Sequence, residues 1–233
     1  MSKFRHRSEQ PEYLDKPGIP PDLLWRNLRE LDFLNRTLGG HAATLKGIAE
    51  LMTDRRKTWS VTDLGCGSGD SLKQIARWAR RNGFAVRLTG IDNKPDAIDF
   101  MRRHCAEFPE ISGMVGDYRD YPGDEGPADI VICSLFCHHL RKRELAALFH
   151  KLRLHTTTGF IINDLQRSRP AYFGAKLFTI LAGGSSLARN DGPLSVLKGF
   201  TAHELRSMLK EAGIGSYSLS RRWAFRLLVT ARH

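Results

Sequence analysis

The spacing of apolar residues predicts two helices in the first quarter of the chain. The first begins at Asp22, and Gly39 and Gly40 end it. Its leucines recur every three or four positions and so share one helical face: Leu24, Leu28, Leu31, Leu34 and Leu38. The second helix is predicted over His41–Met52. Residues 1–20 are polar and interrupted by prolines, and we expect a loose arm there.

From residue 59 to residue 164, short β-type runs alternate with helical patterns. The predicted strands are Ser60–Leu64, Val86–Asp92, Ser112–Gly116, Ala128–Leu135 and Thr158–Asp164. The predicted helices between them are Ser71–Arg81, Pro95–Glu107 and Lys142–Arg153. Such an alternation predicts a parallel sheet with helices on both faces. The nearly continuous apolar run at residues 129–134 is typical of a central strand.

After Asp164 this alternation stops. Residues 165–199 contain an apolar helical piece, Ala171–Leu181, and a Gly/Ser/Asn/Asp/Pro stretch. In that stretch Asn190 and Asp191 either form a turn, which is favoured, or face the pocket. A connection of this length indicates a functional insertion or lid. A helix over Thr201–Ala212 follows, with Thr201 and Glu204 spaced as a capping box. The last two predicted strands, 216–221 and 225–231, are joined by a tight turn and are therefore antiparallel.

Composition adds a strongly basic balance. The 233 residues carry a formal net charge of +11, which leaves open a nucleic-acid partner or a basic, solvated surface. The short Arg/Lys runs are scattered and lack interleaved aromatic residues, which favours the solvated surface. The four cysteines show neither a CxxC pair nor a zinc-type spacing with histidine, so we expect free thiols, no metal and a cytoplasmic location. No apolar stretch is long enough to span a membrane.

The most informative motif is the segment Asp63-Leu-Gly-Cys-Gly-Ser-Gly-Asp70, which joins a predicted strand to a predicted helix. Its glycines are Gly65, Gly67 and Gly69, whereas a dinucleotide fingerprint needs its third glycine at position 70. An aspartate stands there instead, and it would repel a pyrophosphate at the helix N-terminus. The segment also lacks the Lys-Ser/Thr pair of a P-loop.

This segment resembles the first motif of class I S-adenosylmethionine-dependent methyltransferases, and later positions fit that family to the end of the chain. The resemblance implies that Asp63 receives the amine of S-adenosylmethionine, that Asp92 holds the ribose hydroxyls, and that Asp117 and Tyr118 meet the adenine. It implies a place for Ser134 near the methionyl part. The expected cofactor-binding residues are thus Asp63, Gly65, Cys66, Gly67, Gly69, Asp92, Asn93, Asp117, Tyr118 and Ser134.

The family resemblance also implies the architecture. We expect an α/β, Rossmann-like, doubly wound, seven-stranded sheet that is mostly parallel and has an antiparallel last strand. A helical cap would come from the N-terminus and from the insertion after the fifth strand. The expected division is residues 1–52 for the arm and cap helices and residues 53–233 for the methyltransferase domain, with residues 165–199 as lid.

Four residues near two strand ends are the candidates for chemistry: His138, His139, Asp164 and Arg167. In small-molecule members of the family a stretch similar to 134–140, often ending in His-His-Leu, faces the methyl group. A neutral histidine suits removal of a proton from a phenol or enol, with His138 the first choice. Asp164 would assist that base or hold a substrate hydroxyl, and Arg167 would bind a substrate carboxylate or a phenolate.

The favoured function is transfer of a methyl group from S-adenosylmethionine, with S-adenosylhomocysteine as product (class EC 2.1.1). The acceptor would be small and apolar: aromatic, polyketide-like, quinone-like or lipid-like, as in the ubiquinone and menaquinone methyltransferases that this chain distantly resembles. Methylation of oxygen is favoured over methylation of a ring carbon. An RNA or protein methyltransferase, and a cofactor-binding module without turnover, remain as alternatives. The sequence leaves the oligomeric state open.

Overall fold

The computed structural model describes residues 3–16, 18–123, 126–181 and 183–233. The strands are β1 (Thr58–Leu64), β2 (Ala85–Asp92), β3 (Ile111–Val115), β4 (Ala128–Ser134), β5 (Thr156–Leu165), β6 (Tyr217–Arg222) and β7 (Arg226–Arg232). The α-helices are α1 (Pro21–Thr37), α2 (Gly40–Leu51), α3 (Asp70–Asn82), α4 (Pro95–His104), α5 (Lys142–His155), α6 (Arg169–Leu181), α7 (Ser186–Lys198) and α8 (Ala202–Glu211). Two short 3-10 helices cover Tyr118–Asp120 and Cys137–His139.

The strands form one sheet in the order β3-β2-β1-β4-β5-β7-β6. Strands β1 to β5 pair in parallel, while β7 runs antiparallel to both β5 and β6. The strand order reverses between β1 and β4, and open α/β sheets bind ligands beside such a reversal, at the carboxyl ends of their strands. The predicted seven-stranded, mostly parallel sheet is therefore confirmed, and the glycine loop leaves the sheet at this reversal.

Side-chain alternation divides the core into two layers. On β4, Ile130 and Ile132 join the layer formed with α2, α3 and α4, whereas Val131 and Cys133 join the layer formed with α5 and α8. All four side chains are at most 1% exposed. A strand buried on both faces is apolar along its centre, which is why residues 130–133 of β4 show no polar alternation.

Helix α2 packs directly on the sheet, because Ile48 and Leu51 belong to the same apolar layer as Val61 and Ile161. Helix α1 instead contacts α2, α4 and α7 and lies beside the carboxyl ends of the strands. The division of the chain at residue 52 remains a prediction. What the packing adds is that α2 is a covering helix of the sheet.

Two regions differ from the sequence-based expectation. Asn190 and Asp191 lie inside helix α7 and do not form a turn, although Pro193 also lies within that helix. The Ser185 hydroxyl accepts from Ala188 N at its start, and Leu187, Ala188 and Val196 are buried along it. This packing outweighs the helix-breaking tendency of residues 192–193.

The second difference is the N-terminal segment, residues 3–16, which is anchored by charged hydrogen bonds. The Arg7 guanidinium donates to His138 O at 2.9 Å, Leu140 O at 3.0 Å and Lys198 O at 2.7 Å. Both carboxylate oxygens of Asp191 accept from backbone N–H groups of this segment, those of Tyr13 and Leu14. The expectation of a loose arm was therefore wrong, because hydrophobic periodicity does not report polar contacts distant in sequence.

Cys66, Cys105, Cys133 and Cys137 are free and buried, as expected. Among the helices that the structure describes, none combines the length and apolar character that a bilayer crossing requires.

The packing of Phe160 provides a stability prediction. Phe160 is fully buried, and we expect Phe160→Ala to lower the free energy of unfolding by about 3–5 kcal/mol through loss of burial and creation of a cavity. Phe173→Ala is the matched control, because Phe173 is 60% exposed on α6 and should change stability by less than about 0.5 kcal/mol. Urea unfolding followed by circular dichroism measures both. Equal losses in the two variants would contradict the assignment of Phe160 to the core.

Candidate active site

The glycine loop turns sharply from β1 into α3. Gly65 and Gly67 both adopt positive φ, 71° and 52°, which only glycine adopts without strain. A Cβ atom at Gly65 would also overlap the ring of Phe136. The Gly65 and Cys66 N–H groups donate to Ile91 O at 2.8 and 3.2 Å, which ties the loop to the end of β2. The loop is thus held in a fixed shape.

Two buried carboxylates accompany this loop. Asp63 is 2% exposed, and its Oδ1 has no hydrogen-bond partner among the described residues. Asp92 Oδ2 accepts from Gly67 N and Oδ1 from Lys94 N, both at 3.0 Å. Burial raises the pKa of both groups, and for Asp63 the neighbouring charges of Asp92 and Asp70 raise the pKa further. An unpartnered buried carboxylate is costly, so Asp63 is suited to meet a cationic or hydrogen-bond-donating ligand.

A cavity of about 270 Å³ opens above the loop. Eight of the ten predicted cofactor residues line it: Asp63, Gly65, Cys66, Gly67, Asp92, Asn93, Tyr118 and Ser134. Gly69 is not among its lining residues, and its φ of 74° serves the turn into α3. Asp117 also lies outside. Its carboxylate pairs with the Arg119 guanidinium, which holds the pKa of Asp117 below its usual value.

A second cavity, of about 320 Å³, adjoins the first. Its lining is mainly apolar and comes from α1, α6, α7 and the β6–β7 turn, including Leu34, Leu38, Phe178, Val196 and Trp223. Four residues line both cavities: Leu14, Leu31, Leu135 and His139. Leu135 has a positive φ of 53°, an uncommon conformation that sets the direction of the chain as it leaves β4. The two cavities therefore meet just after the central strand.

His138 lines the second cavity, and hydrogen bonds to Asp164 hold its ring in place. Its Nδ1 lies 2.7 Å from Asp164 Oδ1, and its backbone N–H donates to Asp164 Oδ2 at 3.0 Å. Burial by itself would raise the pKa of Asp164, but the adjacent imidazole and N–H donors outweigh burial and hold the pKa below its usual range. Since an ionised carboxylate only accepts, His138 carries a hydrogen on Nδ1, and the neutral form of the ring has a free lone pair on Nε2.

Arg167 does not reach either of these cavities. Its guanidinium donates to Phe4 O at 3.0 Å, to Gly199 O and to the Glu204 carboxylate, and the side chain is almost fully buried. These partners lie on the N-terminal segment and around the start of α8. The position of Arg167 therefore does not support the expectation that it binds a substrate anion. Its guanidinium instead joins the N-terminal segment to the start of α8.

Sequence reasoning missed Glu12 and Lys198, which are both buried at this site. Glu12 is 2% exposed and lines the second cavity. Lys198 Nζ lies 3.3 Å from Glu12 Oε1 and 3.0 Å from Asp15 Oδ2. No motif or periodicity marks either residue, because their partners are far away along the chain.

Comparison with known proteins agrees with this geometry. Residues 61–159, which hold the glycine loop, Asp92 and the histidine pair, match a family described as a methyltransferase domain. This match covers the first four strands of the sheet and the start of the fifth. Ajmaline N-methyltransferase from Rauvolfia serpentina is 27% identical over 119 residues, which are 46% of this chain and 39% of that protein. The chain spans less than half the length of the curated relatives that it matches.

Solved structures of methyltransferases share the fold of most of this chain. Human N-acetylserotonin methyltransferase in complex with S-adenosylmethionine aligns with a TM-score of 0.67 at 17% identity, over 97% of this chain and 63% of that one. A SAM-dependent methyltransferase from Aquifex aeolicus aligns with a TM-score of 0.63 at 14% identity, over 92% of this chain and 99% of that one. The expected fold is confirmed by these structures, and the match over residues 61–159 agrees with the resemblance to methyltransferases.

The buried Asp63 makes stability depend on pH. Its folded-state pKa is raised, so the native state releases this proton later than the unfolded chain, and stability falls as the pH rises above about 4. Asp63→Asn removes this dependence, and we expect the variant to exceed the unchanged protein by about 1–3 kcal/mol near neutral pH, with a smaller difference at about pH 5.

Urea unfolding of ligand-free protein at the two pH values measures this effect. Asp120→Asn is the control, because Asp120 is exposed. A stability difference between Asp63→Asn and the unchanged protein that stays constant with pH would contradict a raised pKa for Asp63.

Proposed function

We propose that this protein transfers a methyl group from S-adenosylmethionine to an oxygen of a small, largely apolar acceptor. The observation that carries the proposal is the meeting of two different cavities at Leu135 and His139. One cavity has carboxylates beside a glycine loop, and the other is mainly apolar with histidines at one end. A methyl donor and an acceptor bound in them would approach each other at this junction, and alignment of the two reactants is the main requirement of such a transfer.

The first cavity suits S-adenosylmethionine group by group. Asp63 offers an unpartnered oxygen for the ammonium group, and the Asp92 carboxylate has the two oxygens that a ribose diol needs. Ile91 and Tyr118 provide apolar surface for the adenine, with Tyr118 held edge-on against Phe136 at a ring-centroid distance of 5.4 Å. Asp117 would contact the adenine only after releasing Arg119.

The second cavity suits an aromatic, polyketide-like, quinone-like or lipid-like acceptor. Its walls come from α1 and from the segment after β5, the two regions that the sequence marks as a cap, and Leu31, Leu34 and Phe178 are examples. Such walls exclude water from the reacting groups. They also favour a small molecule over an RNA or protein chain, although a single projecting base or side chain would fit a cavity of this size.

In the proposed reaction His138 acts as the general base. Asp164 fixes the Nδ1 hydrogen, so the Nε2 lone pair receives the proton of the acceptor hydroxyl. The oxygen attacks the sulfonium methyl group in line; a carbon–oxygen bond forms, the carbon–sulfur bond breaks, and S-adenosylhomocysteine leaves with its sulfur neutral. His139, at the junction of the cavities, orients the acceptor.

The test of the acceptor class uses S-adenosylmethionine labelled in its methyl group and an extract of the source cells. After incubation with purified protein, the label is counted in the organic-soluble, nucleic-acid and protein fractions. We expect it in the organic-soluble fraction, from which the product is then identified by mass spectrometry. Label in RNA or protein would overturn the small-molecule proposal and assign the basic surface a role in binding the acceptor.

The role of His138 predicts a separation of catalysis from cofactor binding. We expect His138→Gln to lower the rate of methyl transfer by about 10²–10⁴-fold, the usual contribution of a general base. Its affinity for S-adenosylhomocysteine, measured by calorimetry, should stay within about twofold, because His138 does not line the first cavity. His150→Gln is the control, since His150 is exposed on α5. A His138→Gln variant with unchanged transfer would refute the assignment.

A further inference from the structure

His138 and His139 are held in the same way, each by a carboxylate behind its ring. His138 Nδ1 lies 2.7 Å from Asp164 Oδ1, and His139 Nδ1 lies 2.8 Å from Asp15 Oδ1. A carboxylate oxygen accepts a hydrogen bond, so both rings carry their hydrogen on Nδ1. In the neutral form of each ring, Nε2 is then a bare acceptor. A carboxylate behind a histidine is the usual arrangement at metal sites, where it fixes the tautomer and raises the basicity of the ligand nitrogen.

The two bare nitrogens converge on one carboxylate, that of Glu12. His138 Nε2 lies 3.6 Å from Glu12 Oε1, and His139 Nε2 lies 3.9 Å from Glu12 Oε2. Both separations are too long for hydrogen bonds. They resemble the distance between two ligands of one ion with bonds of about 2.0–2.2 Å. Glu12 Oε1 is buried and has no hydrogen-bond partner among the described residues. When both imidazoles are neutral, three lone-pair donors thus face one common point.

Lys198 is the cation nearest to this point, but its ammonium group does not occupy the point. Its Nζ is 3.3 Å from Glu12 Oε1, but it donates a hydrogen bond to Asp15 Oδ2 at 3.0 Å. Lys198 therefore keeps a partner of its own when Glu12 turns to another cation. Its charge opposes a second cation nearby, so it reduces the affinity of the point without occupying it.

We propose that Glu12, His138 and His139 bind a divalent transition-metal ion of the zinc type. Two imidazoles and one carboxylate are a common ligand set for such an ion, and they leave at least one coordination position open. All three residues line the second cavity, so the open position faces the space for the acceptor. In this respect the proposal rests on the proposed function and makes it more specific: the acceptor presents an oxygen that ligates the ion.

The ion changes how the acceptor loses its proton. Coordination lowers the pKa of a bound hydroxyl, so the oxygen–hydrogen bond breaks, the proton passes to water and the oxygen stays on the ion. His138 is then a ligand, and its role as base belongs to the ion-free protein. Asp15 and Asp164 become positioning residues for the ligands, and the N-terminal segment supplies a ligand to the reacting centre.

The test begins with purified protein freed of metal by a chelator. Co²⁺ and Zn²⁺ are each titrated into it, with visible absorption for Co²⁺ and calorimetry for Zn²⁺. We expect one ion per chain and a Co²⁺ spectrum of nitrogen and oxygen ligands at low coordination number. Glu12→Gln should weaken binding by at least about 100-fold, and Asp15→Asn by about 10–100-fold. Glu9→Gln, an exposed position on the same segment, should bind as the unchanged protein does.

Lys198→Gln separates a metal site from a plain network of ion pairs. Removal of the opposing charge should tighten Zn²⁺ binding by about tenfold or more if the ion sits beside Glu12. Absence of Co²⁺ binding, or equal affinities of Glu12→Gln and Glu9→Gln, would overturn the proposal. S-adenosylhomocysteine binding and methyl transfer are measured on the same samples. Full transfer by metal-free protein would refute the role of the ion in the reaction and leave the proposed function standing. Failure of the unchanged protein to bind S-adenosylhomocysteine would instead refute the proposed function.

Discussion

The arrangement of the candidate active site depends on the carboxylate of Asp164. This side chain is fully buried at the end of β5, and it accepts hydrogen bonds from the ring and backbone of His138 and from Leu165 N. These bonds join the end of β5 to the short helix that follows β4. Without them the histidine pair would have no fixed position relative to the sheet, and the two cavities would have no defined junction. The parallel pairing of β4 with β5 brings these groups to the same edge.

The sequence was sufficient to predict the sheet and its direction changes, because buried strands are continuous apolar runs and tight turns require glycine. It predicted the lining of the first cavity for a related reason: the motif occupies the ends of neighbouring parallel strands, which must meet at one edge. Asp117 and Arg167 lie outside the two cavities, because their side chains pair with neighbouring groups of the protein. The residue type limits which groups a side chain is able to bind. The surrounding packing determines which of these groups lies within reach.

Prediction from the sequence failed for the N-terminal segment and for α7. Helix α7 contains a proline and little amphipathic pattern, so its existence depends on tertiary contacts. Glu12 and Lys198 meet only because that helix and the segment lie side by side above the histidines. The sequence gives no local signal for such a pairing, since each partner is an ordinary polar residue in its own surroundings.

The way the N-terminal segment is attached has a kinetic consequence. Apolar packing holds the sheet together, whereas the segment is fastened by Arg7, Asp15 and Asp191 through charged hydrogen bonds. Asp191 is only 6% exposed and Arg7 is half-buried, so salt screens these contacts much less than it screens exposed ion pairs. Detachment of the segment would leave their charged groups without partners, which is costly. We therefore expect this wall of the cavity to open rarely, and small molecules to exchange slowly with solvent.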